Sequence, residues 1–176
     1  SRLSLILVLS IIWIFALWKN HIGFQCDEAY NIAQGDMVAR GNSLFKEIWS
    51  YLQMSAVFSA PVIWAHTQIF GSTVGVLLTF RILSVLIQTG ISIYFYVTFV
   101  RGGYKKRYVL FAAVLFFLFV PDFLTFLYKT EIIWFAGLEI IFTYRFYQTK
   151  KKRFIVLLGI MIAASVLAYP TAIIQF

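Results

Sequence analysis

Long apolar runs separated by short charged segments dominate the pattern of hydrophobic and polar positions along the chain. Such runs predict membrane-spanning helices, because a helix needs about 20 mostly apolar residues, and at least about 17, to cross a bilayer. The predicted spans are residues 3–18, 74–100, 108–128, 132–147 and 154–169, of which 3–18, 132–147 and 154–169 have 16 residues each and are slightly short for a span. We therefore expect an all-α polytopic membrane protein, with residues 1–176 forming one transmembrane domain.

The polar stretch between the first two runs, residues 19–71, predicts interfacial helices. Apolar residues at helical spacing (Ala29, Ile32, Ala33 and Met37) indicate an amphipathic helix. Asp27 stands at the expected N-cap and Gly41 at the expected stop. Residues 54–70 contain a proline, a histidine and a glutamine, which suit a helix on the membrane surface better than a span.

Two basic clusters, RGGYKKR (101–107) and KKKR (150–153), predict the topology. Cytoplasmic loops carry an excess of lysine and arginine, and both clusters lie inside only if residues 54–70 do not span. The chain is then expected to have a cytoplasmic amino terminus and residues 19–71 outside.

Composition agrees with a membrane location. The chain is 61% hydrophobic and only 12% charged, whereas a soluble domain has about 25% charged residues. The net charge of +8 is explained by the loop clusters, so we expect no nucleic-acid partner. A single cysteine, Cys26, excludes an internal disulfide and a cysteine metal cluster. We expect the sequence to be the amino-terminal part of a longer protein, with the remainder missing.

The adjacent acids Asp27 and Glu28 allow two interpretations. In one, they start a helix, since carboxylates favour the positive end of the helix dipole. In the other, a carboxylate facing a cleft acts as a general base or binds a divalent metal. Arg81, within an apolar run, is expected either to face a partner or to extend its side chain to the surface. Glu139, deeper in the fourth run, is expected to stay protonated or to find a partner on another span.

The order of these elements resembles the amino-terminal part of the GT-C membrane glycosyltransferases, in the protein O-mannosyltransferase and aminoarabinose-transferase-like group (glycosyltransferase family 39-like). The segments that carry the resemblance are CDEAYNIAQGDMVARGNSLFKEIW, IFGSTVGVLLTFRILSVL, the Pro…Lys-Thr-Glu step and YPTAI. Their matching residues are Asp27, Glu28, Tyr30, Ala33, Gly41, Pro61, Phe70, Gly71, Arg81, Pro121, Lys129, Thr130, Glu131 and Pro170. The chain departs from the family by lacking the usual proline pair, by having Glu131 where Asp is commoner, and by having Tyr169 where Lys is usual.

The resemblance implies an inverting transfer from a polyprenyl-phosphate-linked sugar donor, among membrane lipids at the outer face of a bacterial plasma membrane. It implies Asp27 and Glu28 as catalytic residues, with Asp27 as the base that deprotonates an acceptor hydroxyl. Substrate-binding residues would be Arg81, Tyr30, Glu131 and Lys129, with Arg81 neutralising the leaving phosphate. A divalent metal, on Glu28 and Glu131, is a possible cofactor.

Two other functions fit the sequence. A catalytically inactive relative would bind polyprenyl lipids or partner proteins. A transporter or assembly subunit would use Arg81 and Glu139 inside the membrane. Transport predicts that substitution of Glu139 abolishes function while Asp27→Asn is silent, and a transferase predicts the reverse.

Overall fold

The computed structural model describes residues 10, 13, 14, 16–18, 23, 26–47, 53–118, 125–170 and 172. These residues form helices and no β-strand, which confirms the predicted all-α class. The helices are α1 (Cys26–Ala39), a 3₁₀ turn (Gln53–Ser55), α2 (Ala56–Phe70), α3 (Val76–Arg101), α4 (Lys106–Leu118), α5 (Tyr128–Thr149) and α6 (Lys152–Ala168).

The later apolar runs differ in how well they match these helices. The runs 74–100 and 154–169 coincide with α3 and α6 within two residues, whereas α5 extends beyond 132–147 at both ends. The run 108–128 does not form one helix, because residues 125–127 are not helical and Leu127 has an extended backbone (φ −129°, ψ 150°). Most of the first run, 3–18, lies outside the described residues.

One of the described helices, α3, is long and apolar enough to cross a membrane. It has 26 residues, and its first half carries the buried Arg81. Helix α5 has 22 residues but contains charged side chains along its length, and α6 has 17 residues. Length and composition therefore single out one candidate span among the described residues.

The ends of α3 and α5 meet at one end of the helix bundle. The rings of Phe99 and Tyr144 stack with their centroids 4.4 Å apart, and the Tyr144 hydroxyl donates a hydrogen bond of 3.4 Å to the carbonyl of Gly102. A side chain at position 102 would collide with Tyr144, so this approach requires glycine. Short connections at 102–105 and 150–151 then start α4 and α6 at this same end.

The opposite end of the bundle is organised around Phe126. Its ring lies 5.2 Å from Phe80 of α3 and 5.2 Å from Trp134 of α5, measured between centroids. All three residues belong to the main buried cluster of the described part of the chain. Phe126 thereby fixes the first turns of α3 and α5 next to each other, where the candidate site residues lie.

Helix α1 ends as the sequence predicts but does not begin as predicted. The amide N–H groups of Gly41 and Asn42 donate to the carbonyls of Val38 and Met37, which is a Schellman ending with Gly41 at φ 92°. The helix begins at Cys26, so Asp27 is inside its first turn and is not the N-cap. Its fully buried residues are mainly polar: Glu28, Asn31, Gln34 and Gly35.

Of the apolar residues at helical spacing, Ala29, Ile32 and Met37 are half-buried and Ala33 is exposed, and Ile32 packs against the main buried cluster. The polar face is buried because Glu28 and Asn31 find partners on other elements, as described below. Helix α2 packs across α1 at Gly35, where a Cβ atom would lie 2.5 Å from the Ser59 hydroxyl and 2.8 Å from Ile63. The close contact of these helices thus depends on glycine at position 35, which has no Cβ atom.

Candidate functional site

A buried ion pair between Glu28 and Arg81 joins α1 to α3. The Arg81 guanidinium donates from Nε to Glu28 Oε1 at 3.0 Å and from Nη2 to Glu28 Oε2 at 2.6 Å. Nη2 also donates to the carbonyl of Gly23 at 3.0 Å. The two residues are 1% and 3% exposed, so the pair is almost fully removed from solvent. The planar fork of arginine matches a carboxylate, which explains the two parallel bonds.

Arg81 therefore faces a partner and does not extend to the surface, the first of the two alternatives that the sequence left open. Glu28 reaches it because it lies in the first turn of α1, on the side that packs against α3. Leaving one of these charges buried alone would be costly, and the pair therefore determines where the start of α1 lies.

Asp27, the neighbour of Glu28, points away from the buried pair toward solvent. Its carboxylate oxygen Oδ2 lies 3.5 Å from Nζ of Lys129, the second residue of α5. The side chains are 52% and 38% exposed, respectively. This pair brings a carboxylate and a cation together at an accessible position, and surface pairs of this kind contribute little to stability.

Asn31 clamps α1 to the segment that precedes α5. Its side-chain amide donates a short hydrogen bond to the carbonyl of Phe126, and its Oδ1 accepts a bond of 3.0 Å from the Ser55 hydroxyl. The sequence pattern did not indicate Asn31 as a site residue. Its spacing, three residues after Glu28, is the signal that would have found it, because residues three apart share a helix face.

Glu131 is buried in the first turn of α5, one residue before the predicted span 132–147. It is 1% exposed, and neither carboxylate oxygen has a hydrogen-bond partner. Burial raises the pKa of this carboxyl well above its usual range, because charging it would require desolvation without compensation. One turn further, the indole N–H of Trp134 is also without a hydrogen-bond partner. Burial therefore favours the neutral form of the Glu131 carboxyl.

The structure thus brings the predicted site residues to one end of the bundle but gives them different environments. Asp27 and Lys129 form the accessible part of the site, and Glu28 and Arg81 form the buried pair. Glu131 is buried in the first turn of α5. Tyr30 lies on α1 and is 49% exposed.

The possible metal ligands do not fit a divalent cation in this arrangement. Both oxygens of Glu28 accept bonds from Arg81, and the raised pKa of Glu131 makes its carboxyl a poor ligand. In the described part of the chain, no three side chains from His, Cys, Asp and Glu come together.

Two other polar residues have structural partners. The Ser165 hydroxyl of α6 donates to Glu139 Oε1 at 2.7 Å, which confirms the expected partner on another helix. His66 is buried and bonds through Nδ1 to the Thr79 hydroxyl at 2.9 Å and through Nε2 to the Val74 carbonyl at 3.0 Å. Through these bonds, His66 links α2 to the start of α3.

Comparison of the chain with protein-family models, with curated proteins and with solved structures gave no match.

Proposed function

We propose that this chain forms the amino-terminal part of a membrane glycosyltransferase that uses a polyprenyl-phosphate-linked sugar. The sugar is transferred, with inversion, to an acceptor hydroxyl at the outer face of the membrane, and Asp27 is the base. The observation that carries the proposal is the position of Asp27: an exposed carboxylate beside the Lys129 cation, on a helix end held by the buried Glu28–Arg81 pair.

The membrane part of the proposal rests on the outer surfaces of the helices. Helix α3 exposes Leu78, Ile82 and Leu86, which are four residues apart and lie on one face. Helices α4 and α6 expose further large apolar side chains: Tyr108, Phe111, Leu115, Leu118, Ile155, Val156, Ile160 and Leu167. Extended apolar surfaces are rare on soluble monomers and indicate contact with lipid or protein. We assign several of the helices to the bilayer on this basis.

In the proposed reaction, the Asp27 carboxylate accepts the proton of the acceptor hydroxyl as its oxygen attacks the anomeric carbon. The bond between that carbon and the phosphate oxygen breaks, and polyprenyl phosphate leaves with the bonding electrons. Lys129, beside Asp27 and 38% exposed, is placed to contact the departing phosphate. A phosphate that approached Arg81 would compete with Glu28 for the guanidinium, so we assign Glu28 and Arg81 to positioning Asp27.

The proposal is tested by measuring sugar transfer with the full-length protein in membranes. A panel of radiolabelled polyprenyl-phosphate sugars would be offered to the parent, to Asp27→Asn and to Asp36→Asn, a control on the same helix. We expect Asp27→Asn to lower transfer by about 10²–10⁴-fold, the usual contribution of a general base. The control should retain parental activity, because Asp36 pairs with Arg40 on the helix surface.

Equal transfer by the parent and Asp27→Asn would refute the role of Asp27 as the base. The second candidate is an inactive relative that binds lipid. The closed ion pair favours it, because Glu28 already neutralises the charge of Arg81 that would otherwise act on the leaving phosphate. That candidate predicts that the donor lipid binds but is not consumed.

A further inference from the structure

The end of the bundle opposite the candidate site collects the two basic clusters of the sequence. Contacts between Tyr144 and the loop after α3 bring residues 101–107 and 150–153 to the same end. The eight cations of these segments are Arg101, Lys105, Lys106, Arg107, Lys150, Lys151, Lys152 and Arg153. All eight are exposed. We call this set the basic end.

Among the described residues, no carboxylate forms an ion pair with a cation of the basic end. The ion pairs of the described residues involve Asp27, Glu28 and Asp36, all on α1. Three of the eight cations instead lie against aromatic rings. Lys150 Nζ is 5.1 Å from the ring centroid of Tyr147, and the guanidinium carbons of Arg107 and Arg153 are 4.7 Å and 4.9 Å from those of Tyr108 and Phe154. Their charge therefore remains available to an external anion.

The helix ends add to this positive potential. Helices α4 and α6 both begin at the basic end, at Lys106 and Lys152. A helix N-terminus carries a partial positive charge and is stabilised by acidic residues, so lysines there are unfavourable for the isolated fold. Free N–H groups at helix N-termini also suit phosphate oxygens. Two such ends, both with lysines in the first turn, favour a phosphate-bearing partner.

We propose that the basic end binds the headgroups of anionic phospholipids at the inner membrane surface. The mixture of lysine, arginine and exposed aromatic residues such as Tyr104 and Tyr147 is typical of the level at which a protein meets lipid headgroups. Clusters of four to eight cations next to a span attract anionic lipids. Here the first cluster begins at Arg101, the last residue of the candidate span α3, and the second cluster lies at the same end of the bundle. The inference rests on the membrane placement proposed above and does not depend on catalysis.

The test measures thermal unfolding of the full-length protein in detergent, followed by tryptophan fluorescence, with added phosphatidylglycerol or phosphatidylcholine. We expect phosphatidylglycerol to raise the melting temperature more, and the difference to shrink with added NaCl because salt screens exposed charges. Lys151→Gln/Lys152→Gln should weaken the apparent affinity for phosphatidylglycerol by about fivefold for each cation removed. Lys105→Gln/Lys106→Gln should have the same effect, since both loops form one surface.

The matched control is Arg40→Gln/Lys46→Gln, which removes two cations remote from the basic end and should leave the lipid preference unchanged. Equal stabilisation by the two lipids, or an unchanged preference in both loop variants, would overturn the proposal. Stabilisation by DNA equal to that by phosphatidylglycerol would also overturn it, because the surface would then be a general polyanion site. Alkaline carbonate releases proteins that are not integral to the membrane. Carbonate extraction of membranes therefore distinguishes a wrong membrane placement from a failure of the lipid-binding proposal.

Discussion

At the scale of single residues, the Glu28–Arg81 pair is the interaction with the clearest energetic consequence. Both side chains are buried, so removing one partner leaves an uncompensated charge or donor in the interior. Such losses typically cost about 3–5 kcal/mol, whereas replacing both partners by apolar residues of similar volume is often neutral. The pair is therefore expected to matter more for the placement of α1 than for overall stability.

The losses of unfolding free energy caused by substituting Glu28 and Arg81 are expected not to add. Arg81→Met and Glu28→Leu should each lower the free energy of unfolding by about 3–5 kcal/mol, and the double variant should lose much less than the sum. Thermal unfolding in detergent measures the three variants. Arg40→Met is the matched control, since it breaks the exposed pair with Asp36 and should cost about 0–1 kcal/mol. Additive losses would show that the two side chains do not interact in solution.

The buried carboxyl of Glu131 is expected to make the free energy of unfolding depend on pH. Its pKa is raised in the folded state by burial, so the folded protein holds this proton while the unfolded chain releases it above about pH 4.3. The stability contributed by the carboxyl is fully present below that pH and is lost as pH rises toward the folded pKa. Glu131→Gln should therefore raise the melting temperature at neutral pH and change it little near pH 4.

The control for this measurement is Glu47→Gln, at an exposed position of the first loop. It should not reproduce the pH-dependent gain of Glu131→Gln, because position 47 is exposed and removing its charge relieves no burial. If Glu131→Gln is equally stable relative to the parent at both pH values, the carboxyl is ionised in the folded protein and has a partner.

At the scale of elements, the crossing of α1 and α2 depends on Gly35. We expect Gly35→Ala to destabilise the protein by about 1–3 kcal/mol, because its new Cβ would overlap the Ser59 hydroxyl and Ile63. Thermal unfolding measures the loss, and Ser59→Ala in the same background should recover part of it by removing the nearest atom. Since α1 carries Asp27, the substitution should also lower the proposed transferase activity.

Gly159→Ala is the control for this crossing. Position 159 is also inside a helix, but a Cβ there meets nothing within 4 Å. Alanine should be neutral or stabilise by up to about 1 kcal/mol, the difference in helix propensity between the two residues. A loss at position 159 as large as that at position 35 would mean that glycine is needed for a reason other than close packing.

At the scale of the whole molecule, charge is segregated between the two ends of the bundle. Asp27, Glu28 and Glu131 lie where α1 meets the start of α5, and the basic end lies where α3 and α5 finish. A bundle with this asymmetry agrees with the positive-inside rule if the basic end is cytoplasmic. The orientation stays a prediction, and so does the transferase activity at the opposite end.

The sequence by itself determined the helical class, most helix ends and the segments that carry the charged residues. These properties depend on local hydropathy and on residues such as Gly41, whose backbone freedom ends α1. Tertiary structure decided the rest. The packing of α1 on α3 pairs Glu28 with Arg81, and the contact between α1 and the start of α5 brings Lys129 near Asp27. Burial raises the pKa of Glu131. These contacts join residues far apart in the chain, and hydrophobic periodicity carries no information about which polar side chains will meet.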